Sequence, residues 1–323
     1  MNIIIASLLE ALHMCIRTVP VLAASILAVD VLTAFGIINR FSFIIAPIAR
    51  MARLSRESTL ALVTSIGSTM SADSMTASLY RKGNIRGREA LLSSQANSIA
   101  AYLRETFTYF VPVVIPLLGI GPGIIYVSAF ILNVLFKLVF VLGAGRWLAP
   151  KSLINEPMAD EKTSLRQHIL PSQKCLTGIL RQSMRTMLHI TAVLFVASLL
   201  ITLLDKTGNL RFVSIFVNPV MTMLQIPEDL FVPVFGYIAS PSAGAAAIGT
   251  MYKAGSVSLY CTAAAALVGG MLSIIISTIR YTIPRNIALF GPKIGGVNAA
   301  VGFGMAVLSR VVMLVAIAVF FLQ

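Results

Sequence analysis

Two short polar runs interrupt long apolar stretches of this chain: Gly67-Ser68-Thr69-Met70-Ser71-Ala72-Asp73 and Ser240-Pro241-Ser242-Ala243-Gly244. Hydroxyls at such a break supply donors and acceptors for a polar solute. Helix ends beside it present unpaired backbone groups and dipole charge. Only the first run carries a carboxylate, so Asp73 could hold a cation or a proton. Small residues also let helices pack closely, and that reading of any single serine stays open. Ser68, Thr69, Ser71, Asp73, Ser240 and Ser242 are the first expected substrate-binding residues.

A second constellation is repeated. Thr106-x-x-Tyr109-x-x-Pro112 returns 172 residues later as Thr278-x-x-Tyr281-x-x-Pro284. Thr and Tyr three apart are expected to share a helix face. Each proline frees a carbonyl one turn back and can kink the helix, as solute contact, hinge or plain bend. Glu105 precedes the first motif and is matched by Ser277, whereas Arg280 stands where Thr108 does. Charge around the two motifs has thus diverged. Asp30, Arg104, Lys137 and Arg310 are further charges within apolar stretches, where each is expensive. Lys137 and Arg310 fall at nearly equivalent positions and read as structural. Among the asparagines Asn97, Asn133, Asn286 and Asn298, Asn97 stands out beside Gln95 and Ser98. The expected substrate-binding set is completed by Asn97, Glu105, Thr106, Tyr109, Thr278, Arg280 and Tyr281.

Other chemistries have no footing in the sequence. It contains no G-x-x-x-x-G-K-[ST] loop, G-x-S-x-G elbow, H-E-x-x-H or Cys-x-x-Cys. Cys15, Cys175 and Cys261 lack metal spacing, and His13, His168 and His189 are scattered. No catalytic residue, metal or cofactor is expected, and the chain does not read as an enzyme.

The elements that must position these residues follow from composition. Of 323 residues 57% are hydrophobic and 11% charged, with a mean hydropathy of +0.89. A soluble domain carries about 25% charged residues. Several apolar stretches reach the roughly 20 residues a membrane crossing needs. An all-α, polytopic membrane protein in the cell membrane is expected. The net charge of +13 sits mainly between apolar segments, as positive-inside topology requires, and no nucleic-acid motif accompanies it. The N-terminus has no basic region before its apolar run and is expected to stay in the mature chain.

The 172-residue offset also pairs Pro47 with Pro219, Ser68 with Ser240, Tyr80 with Tyr252 and Gly83 with Gly255. Gly119 and Gly123 match Gly291 and Gly295 in the same way. Residues 1–148 form the first copy and 173–323 the second, joined by a polar cytoplasmic linker over 149–172. Each copy is expected to hold an amphipathic start, a span, a short segment, an interrupted segment (58–83 and 230–255) and two long helices.

Charge orients the copies. Arg50 to Arg56 holds three arginines, and its equivalent, Thr222 to Glu228, holds no basic residue. Arg81 to Arg88 holds four basic residues against one in Lys253 to Tyr260. The bias reverses between Val113 to Gly121, with none, and Arg285 to Lys293, with two. Equivalent loops thus face opposite compartments, which is the signature of inverted-topology repeats. This requires the interrupted segments to be re-entrant hairpins or broken helices. Arms of about 12 residues reach roughly 18 Å, past the midplane.

The pattern resembles the nucleoside recognition, or Gate, domain in a two-copy form. Glu105-Thr106-Phe107-Thr108-Tyr109 looks like the Glu-Thr-x-x-Tyr region of spore maturation protein B. Spore maturation protein A, the permease core of ferrous iron transporter B and concentrative nucleoside transporters are relatives. The chain departs from them in lacking a GTPase domain, a cysteine-rich gate and the extra helices of nucleoside transporters. The resemblance implies a fold and a midplane site.

The expected function is a secondary transporter, or permease, for a small polar solute, nucleoside-like in the family's terms. It would work by alternating access between the copies, with its site between the two polar tips. The alternatives are a membrane assembly or scaffold protein of the spore maturation type, or a divalent-metal permease core. Expected partners are the lipid bilayer, the solute, a coupling proton or sodium ion, and further copies in a homo-oligomer, with no nucleic acid.

Overall fold

The computed structural model describes residues 51–148 and 219–322, apart from Arg53, Ile66 and Gly67, together with a few isolated positions before and between them. The expected first span with Asp30, the short segment before residue 51, the linker and the start of the second copy lie outside the described residues.

The described residues are helical, with no strand among them. In the first copy α1 is Arg56–Thr64, α2 Thr69–Arg81 and α3 Gly87–Glu105. A π-helical segment, Thr106–Val114, leads into α4, Ile115–Leu118, and α5, Ile120–Leu148. In the second copy a 3-10 turn, Glu228–Leu230, precedes α6, Phe231–Ala239, α7, Pro241–Lys253, and α8, Leu259–Ser277. A second π segment, Thr278–Thr282, opens onto α9, Ile283–Leu322, which bends at Gly291. Shifted by 172 residues, α2 coincides with α7 and α3 with α8.

Local chemistry sets these boundaries. Ser55, Ser68 and Ser258 are N-caps whose side chains accept from the amides of Ser58, Ser71 and Cys261, filling one orphan donor each. Ser240 is a single extended residue (φ −160°, ψ 127°) between α6 and α7, and Pro241 pre-sets the first turn of α7. The interrupted segments are therefore two short helices apiece. α1 packs on α2 and α6 packs on α7, so each pair folds back on itself. α7 and α8 are rich in alanine and glycine, which favour close helix packing.

The copies interlock reciprocally. α7 packs on α4 and α8 on α5, while α9 packs on α2, α3 and α5. The main core lies on the α4–α8 side and includes Phe110, Tyr126, Phe130 and Tyr237. Two helical stretches, Ile120–Arg146 and Leu259–Phe321, are long and apolar enough to cross a membrane, with mean hydropathies of 2.4 and 2.3.

Gly119 (φ 99°, ψ 157°) and Gly291 (φ 80°, ψ 168°) break the long helices at equivalent points. This backbone region is open essentially to glycine alone. Gly119→Ala and Gly291→Ala should each destabilise the protein by about 1–3 kcal/mol. Gly119→Ala should cost more, because its Cβ would lie 2.9 Å from the Tyr252 ring, whereas nothing is near Gly291. Urea unfolding in mild detergent would check the order.

Candidate functional site

A cavity of about 180 Å³ opens between the N-terminal half of α2, the middle of α3 and α5, and the α8–α9 region of the other copy. Its polar wall comes from both copies. Asp73 on α2 is buried, and its Oδ1 accepts from Ser94 Oγ (3.0 Å) and Asn97 Nδ2 (3.2 Å) on α3. Its Oδ2 faces Arg285 Nη2 of α9 at 3.9 Å, an ion pair longer than a hydrogen bond. Asn97 Nδ2 also reaches Thr76 Oγ1, which meets Ser93 Oγ at 3.3 Å.

A second chain of bonds crosses between the copies. Asn298 Nδ2 donates to Ser94 Oγ (2.9 Å) and to Asn286 Oδ1 (2.7 Å). Gln95 Nε2 donates to Asn298 Oδ1 at 2.6 Å and to its backbone carbonyl at 2.9 Å. Lys137 Nζ, reaching in from α5, donates to Gln95 Oε1 (2.8 Å) and Ser98 Oγ (2.9 Å). Linked networks of this kind hold each member in one orientation. Because four of these groups are amides, the donor and acceptor ends are fixed by the network itself.

The expected residues divide. Thr69, Asp73 and Thr278 line the cavity, and Asn97 braces Asp73 from behind. Ser68 and Ser71 are engaged in capping α2, with Ser71 exposed. Glu105 is exposed and does not line this cavity. Thr106 returns its hydroxyl to the Tyr102 carbonyl at 2.7 Å, and Tyr109 packs edge-on against Phe110. Ser240 and Ser242 bond each other at 2.8 Å, away from the cavity. Arg280 sits exposed over the Tyr281 ring, and Tyr281 is 61% exposed.

Two expectations are corrected by these positions. The cavity takes one polar tip, that of α2, and the Ser240–Gly244 tip does not line it. In the second motif the Thr-x-x-Tyr pair does not share a face, because Thr278 enters the cavity while Tyr281 faces outward. The reason is the π-helical winding of both segments, which abolishes 3.6-residue periodicity. Lys137, Gln95, Asn286 and Asn298, which sequence reasoning ranked low or left structural, are central. For Gln95 the signal was the polar cluster Ser93-Ser94-Gln95 and Asn97-Ser98, broken only by Ala96, in the middle of α3.

The equivalent place in the other half is filled. Asp73, Ser94, Asn97 and Ser98 are matched by Ala245, Ala266, Gly269 and Gly270. Asn298 and Gly302 are matched by Tyr126 and Phe130, and Ser65 by Tyr237. Tyr237 lies against Gly244 and Gly269, and the Tyr126 hydroxyl lies 2.9 Å from where a Cβ of Gly270 would be. Tyr126 stacks near both Phe130 and Tyr237. The buried Arg310 guanidinium caps the Phe130 ring at 4.4 Å and donates to the Ala306 carbonyl. Glycines on one side make room for aromatics from the other, so one half keeps a polar cavity and its counterpart is plugged.

No family model matches the chain, and no solved structure matches it. It is similar over nearly its whole length to three uncharacterized proteins of Methanocaldococcus jannaschii. One is 25% identical over 295 residues, covering 88% of this chain and 89% of the relative. A second is 20% identical over 294 residues (90% and 93%), and a third 24% identical over 279 (86% of each).

Proposed function

We propose that the chain is a multi-pass permease of the cell membrane that moves a small polar solute through this cavity by alternating access. The observation that carries the reading is a cavity with a polar wall holding both charge signs, formed between two interlocked helical units. Buried charge in apolar helices marks solute or ion pathways. Sites between repeats, beside broken helices, are where secondary transporters bind their cargo. The two folded-back helix pairs would enter the membrane as re-entrant hairpins. Their polar ends are tolerable at such depth because they face protein or a wet cavity. Equivalent loops of opposite charge bias support inverted copies.

Size narrows the cargo. A cavity of about 150 Å³ holds benzene, so about 180 Å³ suits a solute of amino-acid or small-acid size better than a base with its ribose. Asp73, facing an arginine that is 42% exposed, is the group placed to exchange a coupling proton or sodium ion.

Asp73→Asn keeps both hydrogen-bond acceptor and shape but removes the charge. It is expected to abolish gradient-driven accumulation in proteoliposomes, at least a tenfold loss. Glu105→Gln, outside the cavity, should stay within twofold of the parent. If both variants accumulate solute normally, Asp73 is not the coupling group. If the parent chain carries no solute from a broad panel, the permease reading fails and an assembly role takes its place.

A further inference from the structure

This inference rests on reading the cavity as a solute site and concerns the charge of the solute. Three ionic side chains line the cavity: Asp73, Lys137 and Arg285. Their formal charges sum to +1. Asp73 is compensated, since Oδ1 accepts two hydrogen bonds and Oδ2 faces Arg285. Lys137 has no such partner of its own: it shares Asp73 as a counter-charge with Arg285. It is 3% exposed, and both atoms that receive its Nζ, Gln95 Oε1 and Ser98 Oγ, belong to neutral groups. A buried ammonium without a hydrogen-bonded anion is costly.

An ammonium has three N–H donors, and two are used. The remaining donor has room because residue 302 is glycine. A Cβ there would stand 3.7 Å from Lys137 Nζ and 3.5 Å from Gln95 Nε2. In the plugged half the corresponding residue is Phe130, and it closes over the buried cation of that half, Arg310. Arg310 is covered on its Phe130 side, whereas Lys137, with the Tyr102 ring on one side, has open space on the Gly302 side.

We propose that the cavity takes a small organic anion bearing one carboxylate, whose oxygen accepts the third Lys137 N–H beside Gly302. Such an anion brings the formal charge of the occupied cavity to zero. Thr278 and Thr282 line the same space and offer hydroxyls for a hydroxyl or keto group next to the carboxylate. Tyr102, whose ring lies 5.3 Å from Nζ, holds the ammonium from the opposite side.

The test compares small acids with their neutral amides on the purified full chain in nanodiscs. Sodium lactate and sodium glycerate are set against lactamide and glyceramide, with sodium chloride holding ionic strength equal. The acids are expected to raise Tm in a saturable way, while the amides do not. Lys137→Gln should weaken the acid effect at least tenfold. Where Lys137→Gln does not fold, Arg285→Gln, altering a half-exposed side chain, should weaken it several-fold by removing one positive charge. Amides that stabilise as well as acids, or charge variants that leave acid binding unchanged, would overturn the carboxylate assignment while the permease reading stands. If neither acids, amides nor a panel of neutral and cationic polar solutes bind or cross, both fall together.

Discussion

Gly302→Phe is expected to abolish solute binding and flux, at least a hundredfold, while the fold persists. The reasoning comes from the protein's other half, where Phe130 occupies the matching position. A Cβ on residue 302 meets only the ends of Gln95 and Lys137, at 3.5 to 3.7 Å, which is ordinary contact. Beyond it lies a cavity of about 180 Å³, room for one aromatic ring. The ring would lie over the Lys137 ammonium, as Phe130 lies 4.4 Å from the Arg310 guanidinium. A desolvated cation over a ring recovers about 2 kcal/mol, and replacing a helical glycine recovers a few tenths more. Tm should therefore shift by only a few degrees. Flux in proteoliposomes and thermal unfolding of the same preparation decide the matter. A folded Gly302→Phe protein with normal flux would show that the solute travels elsewhere. Gly302→Ala, which trims the space by one methyl, should give an intermediate loss.

The largest expected loss of stability is at Gly249 on α7. A methyl there would collide with the backbone of α4, at the Leu117 carbonyl and 2.8 Å from Leu118 Cα. Backbone cannot rotate aside as a long side chain can. α7 would have to withdraw from α4, and this seam is where the second copy seats on the first. Overpacking costs about 1–3 kcal/mol in yielding cores, and this site is expected at or above the upper end. Gly249→Ala should lower the unfolding midpoint sharply and reduce recovered folded protein. Gly304→Ala on α9, where nothing lies within 4 Å, is the matched control and should be neutral or slightly stabilising through helix propensity. Equal behaviour of the two variants would mean that the seam is loose enough to part.

The helical character and several helix breaks were legible because their determinants are local. Serines and glycines 172 residues apart hold matching backbone positions. Ser68 and Ser240 break helices, and Gly119 and Gly291 turn them. Helical character followed from apolar composition. The site was read in part. Asp73 and Thr278 were found through polarity at an apolar location. Glu105, Arg280 and Tyr281 were mis-weighted because motif repetition and charge divergence do not say which way a side chain faces across a π-helical segment. Lys137 was discounted because its near-equivalence to Arg310 suggested a shared structural duty. Both cations have a ring beside them, but Phe130 closes over Arg310 where Gly302 leaves space beside Lys137. Only three-dimensional neighbours distinguish them, and the two that do, Gly302 beside Lys137 and Phe130 over Arg310, each lie more than 150 residues away by sequence numbering.

The plugged counterpart has a consequence for the ancestry of such chains. A two-fold dimer of identical single-copy subunits must present the same surface twice. It would own two cavities or two plugs, and any substitution that filled one would fill both. Joining the copies in one polypeptide lifts that obligation. Ala245, Gly269 and Tyr126 could then drift toward filling space while Asp73, Asn97 and Asn298 stayed polar. Covalent linkage thus permits what symmetry forbids: one polar cavity, with its counterpart filled by aromatic rings.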